Sequence, residues 1–443
     1  MSTQTFLSAP IVPTLARLSA PGILLVAFQT LVSVGDTYFV GRLGTAPLAG
    51  LALVFPLIML LQMTSAGAMG GGVSSAIARA LGSGNAALAR KLVAHALVIA
   101  LAMGCAFTFL VLLLGPVLYR LLGGSGETLG NALSYSNIVF GGALTVWAAN
   151  TLSSVLRGSG NMFAPALTLI GAALVHLPLS ATLTARIGIA GAGMAYVTTF
   201  GIAALVMALI VWRSSTLAPG REDWRLEWRL FREILRVGAI SVLSSFQTVL
   251  TAVIVTGYVG RYGAAALAGY GVGLRLELLQ IPLVFAVGQA LVVLVGTHIG
   301  AARHERAKRI AWIGAGFAAS ISLAIGIAAS LFPLAWVGLF SSDAAVLESG
   351  SQYLRTVAPF YPLLAVGIAL YFASQGAGRV LRPVLAGTVR LALVIVGGLA
   401  VVSLQGVFIV IAAAMIAFGA LTIWFVALAD WKPHERLDLR KAG

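Results

Sequence analysis

Gly41-Arg42-Leu43-Gly44-Thr45-Ala46-Pro47-Leu48-Ala49-Gly50 returns 219 residues later as Gly260-Arg261-Tyr262-Gly263-Ala264-Ala265-Ala266-Leu267-Ala268-Gly269. Further pairs keep almost the same offset. Gly158-Ser159-Gly160 with Pro165 returns as Gly376-Ala377-Gly378 with Pro383, Gly82 with Arg90-Lys91 returns as Gly300 with Lys308-Arg309, and Tyr135 matches Tyr353. Chance supplies one such match, but not a series in order at one spacing. The chain is two copies of one design.

The repeated unit is apolar. Of 443 residues, 60% are hydrophobic and 9% charged, and the mean hydropathy is +1.01. A soluble domain needs about a quarter of its residues charged, so most of this surface meets something other than water. Apolar stretches bounded by Gly, Pro or charge fall at 16–40, 47–76, 92–116, 131–155, 162–185, 189–212, 235–259, 265–298, 308–333, 350–375, 384–403 and 407–429. Each is long enough to cross a bilayer as a helix, which takes ~20 residues. The offset puts six in each half, a parallel repeat about an axis along the membrane normal, as found in transporters. The expected fold is an all-α integral membrane protein with twelve transmembrane helices in two pseudo-symmetric six-helix lobes. The expected plan is an N-terminal lobe over 1–212, a linker over 213–234, a C-terminal lobe over 235–429 and a basic tail over 430–443.

The net charge of +15 does not point to nucleic acid, because the basic residues alternate between loops instead of gathering on one face or tail. Arg79, Arg90, Lys91, Arg157, Arg303, Arg306, Arg379 and Arg382 share one side with the linker and tail, whereas the opposite loops hold Arg42, Arg120, Arg186 and Arg261. Basic loops stay cytoplasmic, which predicts a multi-pass inner-membrane protein with both termini inside. Across the joint between halves, Arg221, Arg225, Arg229, Arg232 and Arg236 recur at three or four residues, with Trp224, Trp228, Phe231 and Leu235 one position behind. That pattern reads as an amphipathic helix lying on anionic headgroups. Cys105, inside an apolar run, reads as a packing residue, and no cleaved signal peptide is expected.

An acid inside a span costs about 2.5–3.5 kcal/mol on insertion scales and marks function by default. Of the 13 acids, Asp36 and Glu277 fall within spans. Gln29, Ser33, Asp36 and Thr37 form one polar stripe over roughly 100° of the first helix, expected to face the bundle interior or a wet cavity. Desolvation disfavours a charged carboxylate, which suits Asp36 to bind and release a proton; the competing reading is a structural acid paired with Arg42. Pro21-Gly22, before the stripe, reads either as a hinge or as the helix start. Glu277, with Gln280 one turn on, is a second ion-coupling candidate or a structural partner of Arg390. The repeat counterparts of the two acids are Val255 and Ile58, so the halves differ in chemistry. His176 is the remaining titratable candidate in the first half, although a lone intramembrane histidine reads first as a packing group. Asn150, Thr151, Ser153, Ser154, Thr198 and Thr199 either line a cavity or pack helices. The substrate-contact candidates are Gln29, Ser33, Asp36, Thr37, Asn150 and Thr199, and Met63, Phe140, Tyr196 and Phe360 suit the wall of a permissive pocket.

These residues carry a family resemblance. Asp36-x-x-x-x-Gly41-Arg42-x-Gly44 closes the first helix, the Gly82 loop precedes the third, Gly158-x-Gly160-Asn161 follows the fourth, and these features return in the second half. In this the chain resembles the multidrug and toxic compound extrusion (MATE) transporters over essentially its whole length, and Pro21, Gln29 and Asp36 are similar to the DinF-like branch. The resemblance implies two six-helix lobes in a V and efflux of bulky, often cationic compounds driven by inward proton or sodium movement. It also implies that Asp36 is the family's first-helix acid and Gln29 its cavity-lining glutamine. Where many members carry an Asn and an Asp before a fifth-span proline, Ala173 and Leu177 stand before Pro178, and the tenth-span acid of the NorM-like branch is missing. A sodium site wants several oxygens, so proton coupling through Asp36 is the better expectation.

The expected function is secondary active antiport of organic, often cationic compounds against protons, with sodium as the lesser choice. The alternative is a lipid-linked precursor flippase, which needs a cationic cavity and has only Arg275 and Arg390 for it. A membrane enzyme needs a polar cluster, and His95, His176, His298, His304 and His434 are scattered. No P-loop is present, so an ion gradient supplies the energy. The expected partners are small cationic substrates, protons or sodium, and membrane lipids. No cofactor, metal or nucleic acid is expected, and the chain is expected to act as a monomer.

Overall fold

Hydrocarbon offers the backbone no hydrogen-bond partners, so a spanning segment must satisfy every N–H and C=O internally. The computed structural model describes residues 3–431, and the apolar stretches there are helical. Eleven helices are long and apolar enough to cross a membrane, and a bent pair raises the number to twelve. They are α1 (Ile11–Gly41), α2 (Thr45–Gly82), α3 (Ala86–Leu121), α4 (Gly126–Gly141 and Ala143–Gly158, bent by 48°), α5 (Phe163–Ile187) and α6 (Ile189–Trp212). After the linker come α7 (Trp228–Gly260), α8 (Ala264–Gly300), α9 (His304–Leu331), α10 (Ala344–Gly376), α11 (Leu381–Ala400) and α12 (Leu404–Ala427). A π-helical segment, Met63–Met69, interrupts α2.

The turns carry the repeat as clearly as the sequence does. Gly44 (φ 125) pairs with Gly263 (φ 99), and Gly160 (φ 87) with Gly378 (φ 74). Gly84 (φ 78) pairs with Ala302 (φ 58), where the second half keeps the left-handed turn that glycine favours after losing the glycine.

Two compact units are distinguished. Among the described residues, one comprises Ala16–Ile77 and Asn85–Phe246; the other comprises 3–15, Ala78–Gly84 and 247–431. In the first, α5 packs along α6, and both α3 and α6 pack on the second half of α4. In the second, α8 and α9 pack on α10 and α11 packs on α12, around Tyr353, Tyr361 and Phe408. Within this second unit Gly82 meets the Thr297 carbonyl and Gly300 meets the Arg79 carbonyl so closely that a Cβ at either would collide.

Several expectations need correction. Pro21 lies inside α1 and is not its start, because the helix begins at Ile11. Cys105 is exposed on α3 and is not a packing residue. The stretch 213–236 is not one amphipathic helix: a 3-10 turn, Arg221–Trp224, is followed by non-helical residues and then by α7 from Trp228. Two of its acids bind α3. Asp223 pairs with Arg90 at 3.4 Å, Glu227 pairs with Lys91 at 3.0 Å, and the Glu227 N–H donates to His95 Nε2 at 2.9 Å. Trp224 and Trp228 stay exposed. From residue 432 the expected basic tail lies outside the described residues.

Candidate functional site

At about 100° per residue, Asp36 stands at one edge of the polar stripe on α1. The half-buried Phe28, Val32 and Phe39 lie beyond that edge, so its carboxyl turns inward and is only 8% exposed. Gln29, Ser33 and Thr37 are exposed, and Ser33 and Thr37 line an open groove of about 330 Å³ with Val34 and Tyr38. The stripe expected to act as one face is thus divided into one buried acid and three exposed polar groups.

The buried acid meets α5. His176 Nε2 lies 2.9 and 3.0 Å from the two Asp36 carboxyl oxygens, and Ser180 Oγ donates to Oδ1 at 2.5 Å. Residues four apart share a helix face, which brings both side chains over Asp36. From α6, Thr199 Oγ1 lies 3.2 Å from His176 Nδ1 and donates to the Ala195 carbonyl at 2.8 Å. Asp36, His176, Ser180 and Thr199 are all buried. His176 is therefore not an isolated packing group, and it, rather than Arg42, is the hydrogen-bond partner of Asp36. Ala173 and Leu177 are not the fifth-span residues that face the acid. Pro178 is exposed and Leu177 packs over Gly35.

A second network lies beside the first. Asn150 on α4 donates to Gln62 Oε1 at 3.0 Å and to Ser65 Oγ at 2.8 Å, and Gln62 Nε2 donates to the Tyr196 hydroxyl at 2.6 Å. Gln62 and Ser65 stand at the start of the π-helical segment, a distortion that often marks functional sites. Tyr196, three residues before Thr199, and Tyr135 on α4 are within electrostatic reach of Asp36. Asn150 and Thr199 thus support the site from within. Phe140 is fully buried, whereas Met63, Tyr196 and Phe360 are half-buried. Sequence reasoning missed Gln62, Ser65, Tyr135 and Ser180. The available signal was Ser180, one helical turn from His176.

In the second unit the buried Glu277 accepts a hydrogen bond from the Tyr353 hydroxyl at 2.9 Å. Arg390 on α11 acts on it electrostatically and sits 5.8 Å from the Phe418 ring. The Gln280 side chain is buried without a hydrogen-bond partner among the described residues. Arg275 is exposed and lies 5.3 Å over the Phe340 ring.

The family model described as MatE matches residues 21–182 and 241–400, one stretch in each half. The chain belongs to the MatE family. Among MatE relatives, the "FAD transporter" of Shewanella oneidensis is 27% identical over 378 residues, covering 83% of this chain and 82% of that protein. The "Probable multidrug resistance protein NorM" of Thermotoga maritima is 24% identical over 385 residues, covering 84% and 81%. A solved MOP superfamily transporter from Pyrococcus furiosus, 23% identical, superposes with a TM-score of 0.89 over 96% of this chain and 97% of its own. This MatE protein is a multi-pass membrane transporter and not an enzyme.

Proposed function

We propose that this MatE protein exports small organic, often cationic compounds in exchange for protons, which bind at the Asp36–His176 pair. The multidrug and FAD transporters among its relatives support a bulky organic cargo. The observation that carries the coupling is the contact of a buried carboxyl with an imidazole at 2.9 Å. Such a pair holds one exchangeable proton, on nitrogen or on oxygen, and neither partner is a permanent charge. A sodium ion would want several oxygens around Asp36, but a ring nitrogen faces both carboxyl oxygens. Cargo contacts belong to Gln29, Ser33 and Thr37, the exposed groups beside the acid, and a cationic cargo competes with the proton for Asp36. Mutually exclusive binding couples the flows, because each ligand favours the arrangement it fits. Pro21, which offers no N–H to the Arg17 carbonyl, is the place for α1 to bend between arrangements. Glu277, held by Tyr353 and the field of Arg390, serves structure rather than exchange.

The flippase reading loses ground here, since Arg275 lies over Phe340 and Arg390 acts on Glu277, and these are the two arginines that reading relies on. The basic loops favour an inner membrane with both termini cytoplasmic, the exposed Trp224 and Trp228 suit contact with lipid headgroups, and a monomer suffices for this scheme. The test is efflux from proteoliposomes under a pH gradient or a sodium gradient applied separately. The pH gradient should drive efflux by the natural protein and not by Asp36→Asn. Full efflux by that variant, or efflux driven by sodium at equal pH, overturns the proposal.

A further inference from the structure

We infer that Thr199 is a positioning residue that fixes the tautomer of His176 and confines the exchanged proton to the Nε2–Asp36 side of the ring. The inference rests on the proposal that this pair carries the coupling proton. A threonine hydroxyl has one hydrogen to give. That of Thr199 is directed to the Ala195 carbonyl at 2.8 Å, with the Tyr196 carbonyl at 3.1 Å, as β-branched hydroxyls in helices commonly are. Its oxygen therefore offers only lone pairs to His176 Nδ1 at 3.2 Å. Nδ1 must then carry a hydrogen whether the ring is charged or neutral.

The consequence falls on the other nitrogen. With Nδ1–H fixed, Nε2 is the position that gains and loses the proton, and it faces both Asp36 oxygens. Loaded, the pair holds one proton between Nε2 and the carboxyl, as Nε2–H on a carboxylate or as a carboxylic acid on a bare Nε2; unloaded, that proton has left and the carboxylate faces the bare Nε2. Ser180 donates to Oδ1 in either state. Without Thr199 the neutral ring is free to hold its hydrogen on Nε2, where it can accept nothing from Asp36. The other titratable groups facing the pair are the phenols of Tyr135 on α4 and Tyr196 on α6, and Tyr196 is itself bound by Gln62.

The experiment is ¹⁵N solid-state NMR of the histidine rings of the full protein in lipid bilayers, with His176 assigned by its loss in His176→Gln, alongside pH-gradient efflux. The natural protein and Thr199→Ser should show His176 protonated on Nδ1, and Thr199→Val should show a mixture of tautomers. Efflux by Thr199→Val should fall about tenfold with its pH profile displaced toward acid, and Thr199→Ser should restore both. An Nε2–H tautomer in the natural protein overturns the inference without any variant having to fold. An unchanged tautomer and pH profile in Thr199→Val overturns it too. Failure of the coupling proposal reads differently, as normal efflux by Asp36→Asn.

Discussion

Replacing His176 with glutamine keeps a donor beside Asp36 but removes the group that shares its proton. Asp36 has contacts from Nε2 at 2.9 and 3.0 Å and from Ser180 at 2.5 Å, so only the last survives with its chemistry intact. Removing one partner of a buried ion pair costs about 3–5 kcal/mol, and an amide hydrogen bond to the remaining carboxylate returns about 1.5–3 kcal/mol. The central values, about 4 and about 2 kcal/mol, leave a net loss of about 2 kcal/mol, a factor of about 30 in an equilibrium. It falls on the proton-loaded pair, in which an imidazolium faces the carboxylate, because once the proton has left the ring is neutral and the ion pair is gone. The expected result is pH-gradient efflux lower by that factor, with the folded protein still recovered in the membrane. The assay is efflux of a fluorescent cation from proteoliposomes with a pH-sensitive dye inside, so that cargo and proton flux are read together. Efflux within about twofold of the natural protein, at an unchanged proton-to-cargo ratio, refutes a role for His176, since a factor of two is well below the factor of about 30 worked out above.

Two other perturbations test the surrounding structure. Glu277→Gln should lower the melting temperature in detergent, since the hydrogen bond from Tyr353 at 2.9 Å then meets a neutral acceptor, a loss of about 1 kcal/mol; an unchanged melting temperature with abolished efflux would instead make Glu277 an ion-coupling residue. Gly300→Val places a side chain against the Arg79 carbonyl and should cost about 1–3 kcal/mol or more as overpacking, whereas Gly271→Val, where a Cβ meets nothing within 4 Å, should melt with the natural protein.

The membrane class, the number of helices and the two-fold design were legible in the chain, because hydrocarbon forces long apolar runs to be helices and the Gly-Arg-x-Gly turns recur at a constant offset. Asp36 and Glu277 stood out for a related reason: an acid is rare and costly in a span. What surrounds them was not legible. His176 is 140 residues from Asp36, and nothing local tells a histidine that touches a carboxylate from one that merely packs. The same limit applied to the linker, whose Asp223 and Glu227 pair with Arg90 and Lys91, residues more than 130 positions away in the chain. Position along a helix is a matter of local periodicity, which sequence carries. Which edge of a polar stripe turns inward, and which nitrogen or hydroxyl waits there, depends on the packing of α1, α5 and α6, and only the tertiary structure decides it.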